Sequence, residues 1–201
     1  MRLALAIGLV AGAAFASADI TINFSSVFTG ATPSGSTPWA TLTISDGAPG
    51  YVNMSLSNNM TAISGQFLGE LELNLTSIPT DFSTSTTSPW FKSTPTFGVD
   101  SISDAGEMFD VDILFNEQPP KLTGGQTASW TFHGTGLTSS SFLAFATPTD
   151  HNPNDVLALL HVQGTPPPGS SKVRGVVPEP SAMAALAIGG MMLLRRRARK
   201  K

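Results

Sequence analysis

Phe109-Asp110-Val111-Asp112-Ile113-Leu114-Phe115 alternates apolar and charged side chains almost without a break. Successive side chains of an extended strand point to opposite faces, so this spacing predicts a β-strand with one dry and one wet face. The same period recurs in both directions along the chain. Ala40 to Ser45 alternates apolar with Thr or Ser, as does Val52 to Ser57, and Leu71 to Thr76 repeats the pattern. Ile20 to Phe28, Ser129 to His133, Phe142 to Ala146 and Val156 to Val162 are weaker versions. Thr, Val, Ile and Phe suit a pleated surface. Asp46-Gly47-Ala48-Pro49-Gly50, Pro119-Pro120, Gly124-Gly125 and Thr147 to Pro153 punctuate the runs as turns. No central segment has a long 3.6-residue period. Many short strands between Gly and Pro turns predict an all-β domain, an antiparallel β-sandwich or jelly roll. Pro79 to Pro95 reads as a long Ser/Thr-rich loop anchored by Trp90-Phe91.

The two ends carry a different kind of signal. Met1-Arg2, the apolar run Leu3 to Phe15 and Ala16-Ser17-Ala18 fit a secretory signal peptide. Cleavage after Ala18, with Ala16 as the other small residue, makes Asp19 the first mature residue. At the far end Val177-Pro178-Glu179-Pro180-Ser181 precedes the apolar run Ala182 to Leu194 and the basic block Arg195-Arg196-Arg197-Ala198-Arg199-Lys200-Lys201. The apolar run has 13 residues, about 20 Å of helix at ~1.5 Å per residue. That is short against a hydrocarbon core of about 30 Å. It spans only if flanking residues contribute and the arginines snorkel. The basic block would hold that end on the cytoplasmic side.

Motif, hydrophobic helix and arginine cluster, in that order, resemble the PEP-CTERM sorting signal of bacteria, over residues 177 to 199. The resemblance implies that an exosortase, a membrane cysteine transpeptidase, recognises the Pro-Glu-Pro motif and removes the tail. The product then goes to the cell surface or the exopolysaccharide matrix. The extra Lys200-Lys201 is a small departure. Gly124-Gly125-Gln126, Trp130 to Gly136, Ser141-Phe142 and Leu160 to Gly164 also resemble a domain that recurs in PEP-CTERM proteins. That second likeness implies a β-rich domain without an assigned activity, over residues 37 to 165. The expected organisation is a signal peptide (1–18), a β domain (19–164), a Pro/Gly/Ser linker (165–176) that spaces the domain from the membrane, and the sorting signal (177–201).

Charge narrows the function further. The whole chain has 11 Lys and Arg against 14 Asp and Glu, a net charge of −3. Seven of the basic residues lie in the terminal signals, and only Glu179 among the acids does. Residues 19 to 178 therefore hold four basic side chains against thirteen acidic ones, a net −9. Such a surface repels phosphate backbones, which argues against nucleic acid as a partner. With no cysteine there is no disulfide, no thiolate nucleophile and no cysteine-ligated metal.

Candidate chemistry rests on acids, histidines and aromatics. Asp100, Asp104, Glu107, Asp110 and Asp112 are a candidate calcium set, with Asp110 and Asp112 on one strand face about 7 Å apart. Their spacing matches no calcium loop, and the competing reading is a solvated strand face with an acidic turn. Two of Glu70, Glu72, Glu107 and Asp112 could form a glycosidase pair. His133, His151 and His161 lack metal-ligand spacing: His133 is expected to face water, His151 to serve a turn, and His161 to be a hydrogen-bonded core residue. Trp39, Trp90, Trp130 and Tyr51 would stack on sugars if exposed and anchor the core if buried. Asn23, Asn53, Asn59 and Asn74 begin Asn-x-Ser/Thr sequons of the kind a Ser/Thr-rich chain contains by chance. There is no nucleophile elbow and no phosphate loop. The expectation is a secreted matrix or envelope component without enzymatic activity or cofactor. Its expected partners are signal peptidase, exosortase and exopolysaccharide. A carbohydrate-binding or carbohydrate-cleaving domain and a permanently anchored membrane protein are the alternatives.

Overall fold

The computed structural model describes residues 19–62, 65–149, 155–167 and 169–178. The expected signal peptide with Ala16 and Ala18, His151 with its expected turn, and Glu179 to Lys201 with the apolar run and Arg195, Arg196 and Arg197 lie outside them. Of the expected sorting motif, Val177 and Pro178 are described. Among the described residues no helix is long and apolar enough to cross a membrane.

The described residues are all-β and antiparallel. The strands are β1 (Ile20–Gly30), β2 (Ala40–Asp46), β3 (Tyr51–Asn58), β4 (Phe67–Leu73), β5 (Ser83–Thr86), β6 (Thr96–Asp104), β7 (Glu107–Leu114), β8 (Leu122–Thr123), β9 (Thr127–His133), β10 (Thr147–Pro148), β11 (Ala158–Thr165) and β12 (Gly169–Val176). They form one sheet in the order β10-β7-β4-β11-β12-β1-β2-β3-β9-β5, with β6 on β7 and β8 on β4. Alternation does what the sequence predicted in β2, β3 and β9. There Leu42, Ile44, Val52, Met54, Leu56, Trp130 and Phe132 are buried, while Thr, Ser and Asn take the intervening positions. One apolar core draws on β1, β2, β3, β4, β7, β9, β11 and β12.

The sheet curls so that its ends approach across that core. The segment from Pro79 to Pro95 does the joining. Its β5 pairs with β9, while Phe91 bridges to Phe115 just beyond β7. The Phe91 ring lies 5.4 Å from Phe115 and 5.6 Å from Trp130, and Phe82 contacts both Phe97 of β6 and Phe132 of β9. The Trp90 indole N–H donates to the Thr127 carbonyl at 3.2 Å. The expected aromatic anchor is present, inside a segment that also contains a strand.

Three expectations need correction. Within the linker expected over 165–176, Thr165 ends β11 and Gly169–Val176 is β12, an interior strand hydrogen-bonded to β11 on one side and β1 on the other. Its composition hides it: only Val173 and Val176 are large and apolar, but Ser171 and Val173 are buried. Gly175 has no room for a side chain, because a Cβ there would lie 2.4 Å from Ile22 and 3.0 Å from Phe24. Phe142 to Ala146 is no strand: a short 3-10 turn, Ser139–Phe142, leads into loop. Leu71 to Thr76 is shifted, since pairing with β11 and β7 runs from Phe67 to Leu73.

β7 departs most from a simple two-faced strand. Val111 and Ile113 enter the main core, whereas Phe109 joins a second apolar cluster with Ala146, Val156 and Leu159. The β6–β7 hairpin therefore lies over the outer face of β11, and strands beneath it are covered on both sides. Asp110 holds the crossing point. Its carboxylate accepts the Leu75 N–H at 2.9 Å and the Asp100 N–H at 2.8 Å, with Asp100 in the left-handed region at φ 46°.

Candidate functional site

Strand register assembles a charged cluster on the outer face of β4, β7, β11 and β12. Glu72 stands opposite Asp112 on one side and Leu159 on the other. One step along, Glu70 stands opposite His161, and His161 opposite Lys172. Gly69 shifts the β4–β11 register between these pairs and Leu68, which turns Glu70 and Glu72 outward while Leu71 and Leu73 stay in the core. The β6–β7 hairpin then brings in Asp104 from above, in salt-bridge contact with Lys172.

Lys172 is the hub. Its Nζ donates to Glu70 Oε2 at 2.7 Å, engages Asp104, and lies 3.9 Å from Glu72 Oε2. Burial works against its charge, but hydrogen bonds to Asp104 and Glu70 outweigh that and hold its pKa above the ordinary lysine value. Glu72 is only 1% exposed. Burial pushes its carboxyl up to about 9. Lys172 opposes the rise, and the carboxylates of Asp104 and Glu70 add to it. Glu72 is therefore protonated at neutral pH, a proton donor beside Asp104 instead of a third anion on Lys172. Burial and then the Glu70 charge raise Asp112 to about 6. Burial and then Lys172 lower His161, whose Nδ1 sits 3.7 Å from Glu70 Oε2, so its ring is neutral at pH 7.

This placement redistributes the sequence candidates. Among the described residues, the carboxylates whose oxygens converge within 4.8 Å are Glu70, Glu72 and Asp104. Of the calcium set Asp100, Asp104, Glu107, Asp110 and Asp112, only Asp104 belongs to that group, and Asp112, opposite Glu72, borders it. Asp110 does not share a wet face with Asp112, because it is buried on two backbone N–H groups. Glu107 is buried where β7 meets β10. The converging oxygens already surround the Lys172 ammonium, which occupies the position a metal ion would take. Of the four glycosidase candidates, Glu70 and Glu72 are neighbours, but a sealed Glu72 offers no surface to a substrate. The signal that could have found the cluster is Lys172, one of only four basic residues between the terminal segments, which sequence reasoning left in a linker.

The opposite half of the sheet carries the second feature. The outward positions of β2, β3, β9 and β5 form rows of small polar side chains. Ser45, Asn53, Thr131 and Ser85 pair across four strands, and Thr43, Ser55 and Ser129 across three. They line a groove of about 420 Å³. Tyr51 lines an adjoining depression that shares Asn53, Ser85 and Thr131 with the groove; it is 44% exposed, with its ring 4.4 Å from that of His133. Trp39 and Trp130 are buried and Trp90 is half-buried, so of the four aromatic candidates Tyr51 alone presents its ring to solvent. His133, expected to face water, is half-buried beneath it. Of the sequon residues, Asn74 is buried and Asn53 stands in the groove. No known protein family, curated protein or solved structure matches the chain.

Proposed function

We propose that this is a secreted, non-enzymatic protein sorted to the cell surface or extracellular matrix, its C-terminal tail removed by an exosortase-type transpeptidase. The observation that carries the reading is the ordered C-terminal signal: Val177-Pro178-Glu179-Pro180-Ser181, thirteen apolar residues, then Arg195 to Lys201. The position of β12 supports it. That strand ends at Val176, and Val177 is 42% exposed, so the motif starts where the sheet lets go of the chain. A membrane peptidase needs such an accessible stretch. The same proposal takes the curled sheet as a β-sandwich or jelly roll, supported by the aromatic contacts between its two ends. The non-enzymatic reading is supported by the state of the acids: Glu70 and Asp104 are spent on Lys172, and Glu72 is sealed. The test is the intact mass of the protein recovered from its host's envelope and medium. Loss of residues 1–18 and of everything after about Pro180 is the expected result. A mass that retains Arg195 to Lys201 overturns the sorting step and leaves a permanent anchor.

Carbohydrate binding is the second reading, and the exposed Tyr51 beside a polar groove favours it. Cleavage loses ground, because the carboxylates lie on β4, β6 and β7 while the groove lies on β2, β3, β5 and β9.

A further inference from the structure

We infer that the groove across β2, β3, β9 and β5 binds a neutral polysaccharide, with Tyr51 as the stacking platform. Charge supports that choice of occupant. The protein holds a net −9 over residues 19 to 178, yet no residue lining the groove carries a carboxylate, an ammonium or a guanidinium; the exposed acid of these strands, Asp46 at the end of β2, lies outside that lining and accepts the Ser139 N–H. An anionic glycan would find no cation there and would be repelled by the rest of the surface. A neutral glycan meets no such penalty, and its hydroxyls both donate and accept.

The groove is built to answer both. Hydroxyl groups donate one hydrogen bond and accept two, and an amide supplies a separate donor and acceptor. The hydroxyls of Thr43, Ser45, Ser55, Ser85 and Ser129 form no side-chain hydrogen bonds within the described protein, so each is available to a ligand. Asn53 is oriented by Thr131, whose hydroxyl donates to Asn53 Oδ1 at 2.9 Å. Its amide nitrogen lies toward Gly47 of the β2–β3 turn. Strand spacing of about 4.8 Å across the sheet and about 7 Å along one face sets a regular grid of such groups. At the end of the grid the tilted Tyr51–His133 contact fixes the tyrosine ring, so stacking on a pyranose costs little side-chain entropy.

The inference deepens the matrix-associated reading by naming the partner, and its failure is separable from that of sorting. The full chain, kept in mild detergent, is run through native gels cast with dextran, galactomannan or xyloglucan, with alginate as the anionic control. Retardation by at least one neutral glycan and none by alginate is expected. Tyr51→Ala should weaken it at least about tenfold, as loss of an aromatic anchor does. Asn53→Ala and Ser129→Arg, at exposed positions that leave the core untouched, should weaken it too, with unfolding midpoints unchanged. Retardation by alginate alone, by no glycan, or equally in wild type and all three variants overturns the assignment. A chain with the expected processed mass that binds no neutral glycan refutes this site while the sorting reading stands.

Discussion

Replacing Glu72 with Gln should stabilise the protein, and the gain should grow with pH. Glu72 titrates near 4.5 when exposed and at about 9 in the folded chain. The folded state thus holds a proton that the unfolded state releases. Wherever the native state binds more protons, stability falls as pH rises, so the contribution of Glu72 is complete below about pH 4.5 and is lost on the way to pH 9. Each unit inside that window costs about 1.4 kcal/mol. Between about pH 5 and pH 8 the wild type therefore loses about 4 kcal/mol through this one group, and a glutamine loses none. The rising pKa of Asp112 acts in the same direction at lower pH, but it is common to both proteins and largely cancels in the difference. Chemical denaturation of wild type and Glu72→Gln at both pH values measures the effect. In heat, the gap should widen by roughly 10 °C for a domain this size. A variant that is weaker by the same margin at both pH values would refute the reasoning. Glu72 would then be an anion that holds Lys172, and not a sealed, protonated acid.

Lys172→Met should destabilise by about 3–5 kcal/mol, because it strands Glu70 and Asp104 on a covered face; acidifying to about pH 4.5 should recover part of the loss in urea titrations. Asp110→Asn should cost about 2–3 kcal/mol, since a neutral amide oxygen cannot serve both the Leu75 and Asp100 N–H groups as the carboxylate does. Gly175→Val should cost at least about 1–3 kcal/mol by overpacking against Ile22 and Phe24, where a linker glycine would tolerate it; thermal unfolding decides. Ending the chain at Pro167 should abolish cooperative unfolding altogether, seen as loss of a sharp transition in circular dichroism, because β1 and β11 would both lose a partner.

Period-two alternation carried much of the fold into view. Where one face meets water, as in Ala40 to Ser45 and Val52 to Ser57, the pattern and the strand coincide to within a residue or two. It failed where a second layer covers the outer face. Glu72 and Asp110 occupy positions that alternation assigns to water, and only the β6–β7 hairpin, a contact remote in sequence, reveals that they are covered. It failed again where a strand is made of small residues. Ser83–Thr86 and Gly169–Val176 pair through their backbones, and the backbone hydrogen bond leaves no mark on composition. The acidic cluster was half legible for the same reason. Its acids were recognised as candidates, but the lysine that organises them lay in a stretch whose prolines and serines read as spacer. The Ser/Thr rows were visible as the wet sides of β2, β3 and β9, and their alignment into a groove depended on register, which no single strand encodes.

The pairing of β1 with β12 joins Asn23 to Val176 and Gly30 to Ser171. A chain emerges from synthesis or export N-terminus first, so the first strand must wait for the last. Nothing vectorial can complete this domain, and its contact order is high for its length. Until β12 is delivered, β1 and β11 present open edges of the kind that pair with neighbouring chains. The geometry also sets the exits. Because the two strands are antiparallel neighbours, the polypeptide enters at Ile20 and leaves at Val176 on the same side of the sheet. The first and last strands of the sheet thus begin and end at a single pole, with Asn23 paired to Val176.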